Sequence, residues 1–168
     1  YNDPEVLKMF ARSETLGVFQ FESSGMRAFL KELKPDEFSD LVAANALFRP
    51  GPMKQIPKFV GSKHDKSTIS YIHPKLEPIL KSTYGCIVYQ EQVMQIVQQI
   101  GGYSLGRADI VRRAISKKKM KVMEEERKNF IYGNKEEGVC GAIANGVDEK
   151  SANEIYDLII CLLYTSPS

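Results

Sequence analysis

The sequence has no apolar run approaching the roughly 20 residues that a membrane-spanning helix needs. Its three cysteines, Cys86, Cys140 and Cys161, are scattered and odd in number. No Cys-x-x-Cys pair occurs, so neither a zinc site nor a disulfide framework is favoured, and a reduced, cytoplasmic setting is the plain expectation. His64 and His73 have no cysteine or carboxylate at ligand spacing, which argues against a metal site built on them. There is no Gly-x-Ser-x-Gly, no Cys–His pairing and no phosphate loop of the GxxxxGK[ST] kind. Asp36, Asp40, Asp109, Asp148 and Asp157 read as helix caps or surface groups rather than as a metal-binding pair. A self-contained catalytic centre is therefore not expected. Internal repeats and long low-complexity stretches are also missing. The opening Tyr1-Asn2-Asp3-Pro4 has neither an initiator methionine nor a signal-peptide pattern, and reads as a chain cut from a longer one.

Charge of one sign is scarce as well. Lys and Arg number 23 against 21 Asp and Glu, for a net charge of +2. That balance does not announce a nucleic-acid partner, so any such case rests on where the cations fall. What is present is a hydrophobic share of 43% in 168 residues, enough for one compact domain.

Periodicity predicts a mainly α fold with a few short β-strands. Asp3-Pro4 opens a helix that carries Val6, Leu7 and Phe10 on one face. Gly17 to Phe21 alternates and predicts a brief extended segment. Met26, Phe29, Leu30 and Leu33 follow at i, i+3, i+4, i+7 and define an amphipathic helix ending before Pro35. Asp36 is the expected cap of the next helix, with Phe38, Leu41, Val42 and Asn45 inward, ending at Arg49-Pro50-Gly51-Pro52. Helical turns are expected near Ile56–Val60 and Leu76–Leu80, and a short strand at Cys86-Ile87-Val88-Tyr89. A helix follows from Gln90 to Ile100, with Val93, Ile96, Val97 and Ile100 aligned. The next spans about Gly106 to Ile115, with Ile110, Val111, Ala114 and Ile115 inward. Continued, it would place Lys118 on its apolar stripe, and an unpaired buried lysine is costly, so a break is expected at Ser116–Lys119. Helices over Met120–Tyr132 and from Asp148 onward, the latter bearing Ala152, Ile155, Tyr156 and Ile159, flank a loop over Gly133–Gly146.

Three constellations carry chemistry. In Arg112-Arg113-Ala114-Ile115-Ser116-Lys117-Lys118-Lys119 five of eight residues are cationic and none is acidic, and Lys121 extends the run. On one helix Arg113, Lys117 and Lys121 would stack at i, i+4, i+8, a spacing suited to a phosphate backbone or a triphosphate. Arginine offers a planar fork of donors and lysine a point charge. The same run is also compatible with a solvated face opposite Glu124-Glu125-Glu126. Phe48-Arg49-Pro50-Gly51-Pro52-Met53 is a rigid turn that would fix the direction of Arg49, or a plain helix stop. Thr83 to Met94 sets Tyr84, Tyr89, Gln90 and Gln92 around an extended-to-helix junction. Such rings can stack on bases or serve as core residues with a hydrogen-bonded tip.

At these residues the chain resembles the alpha subunit of bacterial DNA polymerase III, a C-family polymerase, and is more similar to the DnaE type than to the PolC type. The resemblance runs through Ser13 to Ser23, Asn45 to Met53, Tyr84 to Met94, Gly102 to Gly106 and the basic block Arg112 to Lys119. Five ordered blocks are far more specific than any one alone. The resemblance implies a partial fingers domain over residues 1–157, with the palm aspartates that bind metal lying upstream of Tyr1. It implies that Arg112 and Arg113, with Arg49, address the phosphates of an incoming deoxynucleoside triphosphate. It further implies that Lys117, Lys118, Lys119, Lys121, Tyr89 and Gln90 meet phosphate or template-primer DNA. Mg²⁺ would serve the full-length enzyme and none would bind this stretch, which alone would be inactive. Sliding clamp and other replisome subunits would be met through other parts of the parent chain, with no membrane partner. From residue 158 the family's pattern, including its Asn-Lys-Ser-His segment, gives way to a run ending Thr165-Ser166-Pro167-Ser168, read as a non-native tail. The reading from a different class is a non-catalytic helical nucleic-acid-binding module, and a scaffold domain meeting an acidic protein is a third.

Overall fold

The computed structural model describes residues 1–164. Helix α1 (Pro4–Ala11) starts where the side chain of Asp3 accepts from the amides of Glu5 and Val6 at 2.9 and 3.3 Å. Leu7 and Phe10 are buried, whereas Val6 faces outward. Helix α2 (Ser24–Leu33) is capped by Ser23, whose hydroxyl accepts from the Met26 amide. It buries Met26, Phe29, Leu30 and Leu33, as the periodicity predicts, and stops at Lys34 in the left-handed region.

Helix α3 (Phe38–Leu47) differs from its expectation in cap and in face. Glu37, not Asp36, is the capping residue, and Asp40 reaches back to accept from the amides of Asp36 and Glu37 at 3.1 and 3.2 Å. The inward face is Asp40, Leu41, Ala43, Ala44 and Leu47, while Phe38 and Val42 remain exposed. The cause lies on helix α4 (Ile56–His64), whose Lys63 ammonium sits 3.0 Å from Asp40 with both side chains withdrawn from solvent. A partnered carboxylate can occupy an interior position that hydropathy assigns to an apolar residue.

After the short helix α5 (Glu77–Leu80) the chain passes through Cys86, Ile87 and Val88, all buried. Cys86 and Val88 enter one hydrophobic cluster, shared with α1 to α4. Ile87 enters a second, formed chiefly by the later helices. The alternation expected of a strand is present, but no strand forms among the described residues, which contain only the isolated bridge Asn134–Val139. Side-chain amides do the pairing instead. Gln55 donates to the Ile87 carbonyl at 2.8 Å and accepts its N–H at 3.2 Å. Gln92 accepts from the amides of Val88 and Tyr89 at 2.8 and 3.0 Å. The other expected strand, Gly17 to Phe21, folds into consecutive turns closed by the Thr15 hydroxyl donating to the Phe21 carbonyl.

Helices α6 (Gln90–Gln99), α7 (Leu105–Ser116), α8 (Met120–Tyr132) and α9 (Glu149–Tyr164) complete the described chain. α7 packs against α6, α8 and α9, and α8 packs against α9. The inner seam of α7 is Ala108, Val111 and Ile115. Ile110, expected inward, is exposed, and Ala114 is only half-buried. α9 buries Ala152, Ile155, Tyr156 and Ile159 and extends the stripe through Leu162 and Leu163. Of the run 158–168 set apart in the sequence, residues 158–164 thus continue this helix, and 165–168 lie outside the described residues.

Candidate phosphate-binding site

The basic block is divided by the break that its own lysines forecast. α7 ends at Ser116, Lys117 caps it, Lys118 takes a left-handed conformation at φ 55°, and Lys119 leads into α8. Arg113, Lys117 and Lys121 therefore do not lie along one helix, and the ladder possible on a continuous helix is not formed. Lys117, Lys118 and Lys119 instead form the exposed turn between the two helices, and Lys121 is exposed on the first turn of α8. Backbone bonds fix that turn: the amides of Lys117 and Lys118 donate to the carbonyls of Arg113 and Ile115 at 3.1 and 2.9 Å.

The first half of α7 is locked from below. Ser104 caps it by accepting from the Arg107 amide. The Arg107 guanidinium, mostly buried, pairs with Glu126 of α8 and lies 3.0 Å from Glu137. Tyr103 donates its hydroxyl to Glu126 at 3.0 Å. Burial, then the Glu126 charge, pushes the Tyr103 phenol far above its ordinary range, so it stays a donor. The sequence reading missed this anchor. Spacing alone does not tell which arginine meets which glutamate across two helices.

One turn further on, consecutive arginines meet one carboxylate. Arg112 directs Nε and Nη2 at Oδ1 of Asp109, at 3.1 and 2.8 Å. Nε of Arg113 lies 2.7 Å from Oδ2 as an ion pair. The hydrogen bond from Arg112, then the charges of Arg113 and Arg112, hold the Asp109 carboxyl below its usual range, so it is ionised at neutral pH. Arg113 is the more exposed of the pair. In the sequence Asp109 is a candidate cap or surface group; in the structure it is the partner that both arginines share. Its position three and four residues before the arginines was the available signal.

Arg49 sits on a different turn. It is exposed on the turn that follows α3, held by its amide donating to Leu47 and its carbonyl accepting from Met53. Among the described residues no carboxylate lies within ion-pairing distance of it. With Asn45, Phe38, Val42 and Tyr89 it lines an apolar groove of about 540 Å³. Neither Arg112 nor Arg113 belongs to the walls of that groove. Tyr89 is half-buried at the start of α6. Burial, then the charges of Asp40 and Glu91, raises its phenol above the ordinary value. Gln90 is exposed on the first turn of α6. The structure thus brings Arg49 and Tyr89 together, and Arg112 and Arg113 together.

The class and then the family follow from comparison with known proteins. Residues 1–138 match the bacterial DNA polymerase III alpha subunit finger domain. The DNA polymerase III subunit alpha of Halalkalibacterium halodurans is 50% identical over 159 residues, and that of Staphylococcus aureus strain MRSA252 is 48% identical over 160. Each comparison covers 95% of this chain and 14% of the relative. The chain belongs to the finger-domain family of the bacterial DNA polymerase III alpha subunit, and it spans about one-seventh of the length of these relatives. No described helix is long and apolar enough to cross a membrane.

Proposed function

We propose that this chain is the part of a DNA-directed DNA polymerase that receives the phosphates of the incoming deoxynucleoside triphosphate and of template-primer DNA. The observation that carries the reading is the pairing of Arg112 and Arg113 around one carboxylate, immediately before a turn of exposed lysines. In the reaction, a primer 3′-hydroxyl attacks the α-phosphate and pyrophosphate departs. Negative charge grows on the leaving group, and a pre-placed pair of guanidiniums would offset it. Lys117, Lys118, Lys119 and Lys121 would add point charges along the phosphates, and Arg49 with Tyr89 and Gln90 would serve nearby nucleotide or strand. Selection of the base would come from template pairing. Among the described residues no three His, Cys, Asp or Glu side chains gather to hold a metal. The Mg²⁺ of this reading would be held by other parts of the parent enzyme. The isolated chain would not polymerise. Sliding clamp and replisome contacts would likewise belong to the parent enzyme.

The test uses the full-length polymerase. Arg112→Ala and Arg113→Ala should each lower kcat/KM for the nucleotide by about 100- to 1,000-fold, the loss expected for one donor serving the transition state. An unchanged nucleotide dependence in both would refute the reading.

A further inference from the structure

We infer that Asp109 is a positioning residue for the triphosphate site, holding the guanidiniums of Arg112 and Arg113 side by side before the nucleotide arrives. The inference rests on the proposed role of the two arginines. Successive side chains on a helix diverge by about 100°. Arg112 and Arg113 would therefore point to different quarters unless something drew them in. Asp109 lies three residues before one and four before the other, the two separations at which helix side chains meet. Its two oxygens are shared out accordingly, Oδ1 to Nε and Nη2 of Arg112 and Oδ2 to Nε of Arg113. The Asp109 and Arg112 side chains are each no more than about one-third exposed, while Arg113 reaches further into solvent.

The arrangement leaves donors to spare. Neither terminal nitrogen of Arg113 nor Nη1 of Arg112 makes a hydrogen bond to Asp109, so these donors remain available. Two cations against one anion leave a net positive charge, next to the lysine turn. A guanidinium fixed through one edge and open on the other can meet a phosphate without first losing its side-chain freedom. The anchoring of α7 through Arg107 and Glu126 keeps the carboxylate itself in place.

Asp109 also opposes an approaching anion, and the two effects have opposite signs in one measurement. In the full-length polymerase, single-nucleotide incorporation by Asp109→Ala, Asp109→Asn, Arg112→Ala and Arg113→Ala is resolved into kcat and KM for the nucleotide. Asp109→Ala is expected to raise KM about tenfold with a smaller change in kcat, since misdirected binding groups cost one to two orders of magnitude. Asp109→Asn, which keeps one side-chain oxygen as acceptor, should recover part of that loss. Asp109→Ala added to the combined Arg112→Ala and Arg113→Ala variant should cost little more than that combined variant alone, as for residues acting as one unit. A merely helix-supporting carboxylate would give additive losses and no rescue by Asn, and that result overturns the inference. A fall in KM in both Asp109 variants overturns it too, because repulsion would then outweigh guidance. If the Asp109 variants behave as wild type while the arginine variants lose nucleotide affinity, only the positioning role fails. If the arginine variants are themselves silent, the reading beneath it fails.

Discussion

Lys63 shows how much one interior charge can decide. Its ammonium sits 2.5 Å from Asp36 and 3.0 Å from Asp40, and it is Asp40 that turns α3 away from its apolar face. Lys63→Met would leave the Asp40 carboxylate buried without a cation, a loss of about 3–5 kcal/mol for a broken interior pair. Hydrogen exchange of the amides in residues 38–47 of the full-length protein should report that loss as faster opening. Lys63→Met combined with Asp40→Leu should restore much of the protection. The same cluster gives a pH window. Burial lowers the Lys63 pKa, but the hydrogen bonds it donates to Asp36 and Asp40 outweigh that, and the net shift is upward from the ordinary 10.5. Its contribution is complete below that value and is lost as pH rises through the raised one. The hydrogen bond donated by Lys63 lowers Asp36 from the ordinary 3.8, so its contribution is present above that value and lost as pH falls through the lowered one. Protection of α3 and α4, corrected for intrinsic exchange, should therefore be flat between about pH 4 and 10 and fall on both sides.

At the scale of elements, the extended segment 86–88 depends on glutamine side chains rather than on a neighbouring strand. Gln92→Leu removes the acceptor of the Val88 and Tyr89 amides, each left unpartnered at a cost of about 1–3 kcal/mol. Hydrogen exchange over residues 84–93 should accelerate at least tenfold, while α8 and α9 keep their protection. This segment also marks what the sequence could convey. Caps at Asp3, Ser23, Ser104 and Asp148 are local chemistry, and the aligned apolar residues of α2, α6 and α9 are strong periodic signals. The stop after Ser116 was legible because a continued helix would have buried Lys118. The strands were misread because alternation reports two buried sides but not what satisfies the backbone between them. Phe38, Val42 and Ile110 were placed inward because hydropathy does not see the Asp40–Lys63 pair or the small Ala108 seam. For the site, residue types and the turn were readable. The sharing of Asp109 was open to spacing rules, whereas the separate groove of Arg49 and Tyr89 depends on tertiary packing.

Over the whole molecule a net charge of +2 supplies little general attraction for DNA. Under the proposed function, affinity would come from the cations gathered at the α7–α8 turn, and its dependence on salt follows. Changing Lys117, Lys118 and Lys119 together to Gln in the full-length polymerase should flatten the plot of log affinity against log salt by about three, roughly one for each lost phosphate contact. An unchanged slope would remove these lysines from the interface. The two hydrophobic clusters meet where Cys86 and Val88 face one interior and Ile87 the other. At about 3.3 Å per residue, that thread is under ~10 Å long and has no slack. A displacement of the later helices would tug at once on Tyr89 and so on the wall of the groove beside Arg49. Because each of its three residues is buried in one cluster or the other, the link has no room to swivel, and its two ends are obliged to travel in company.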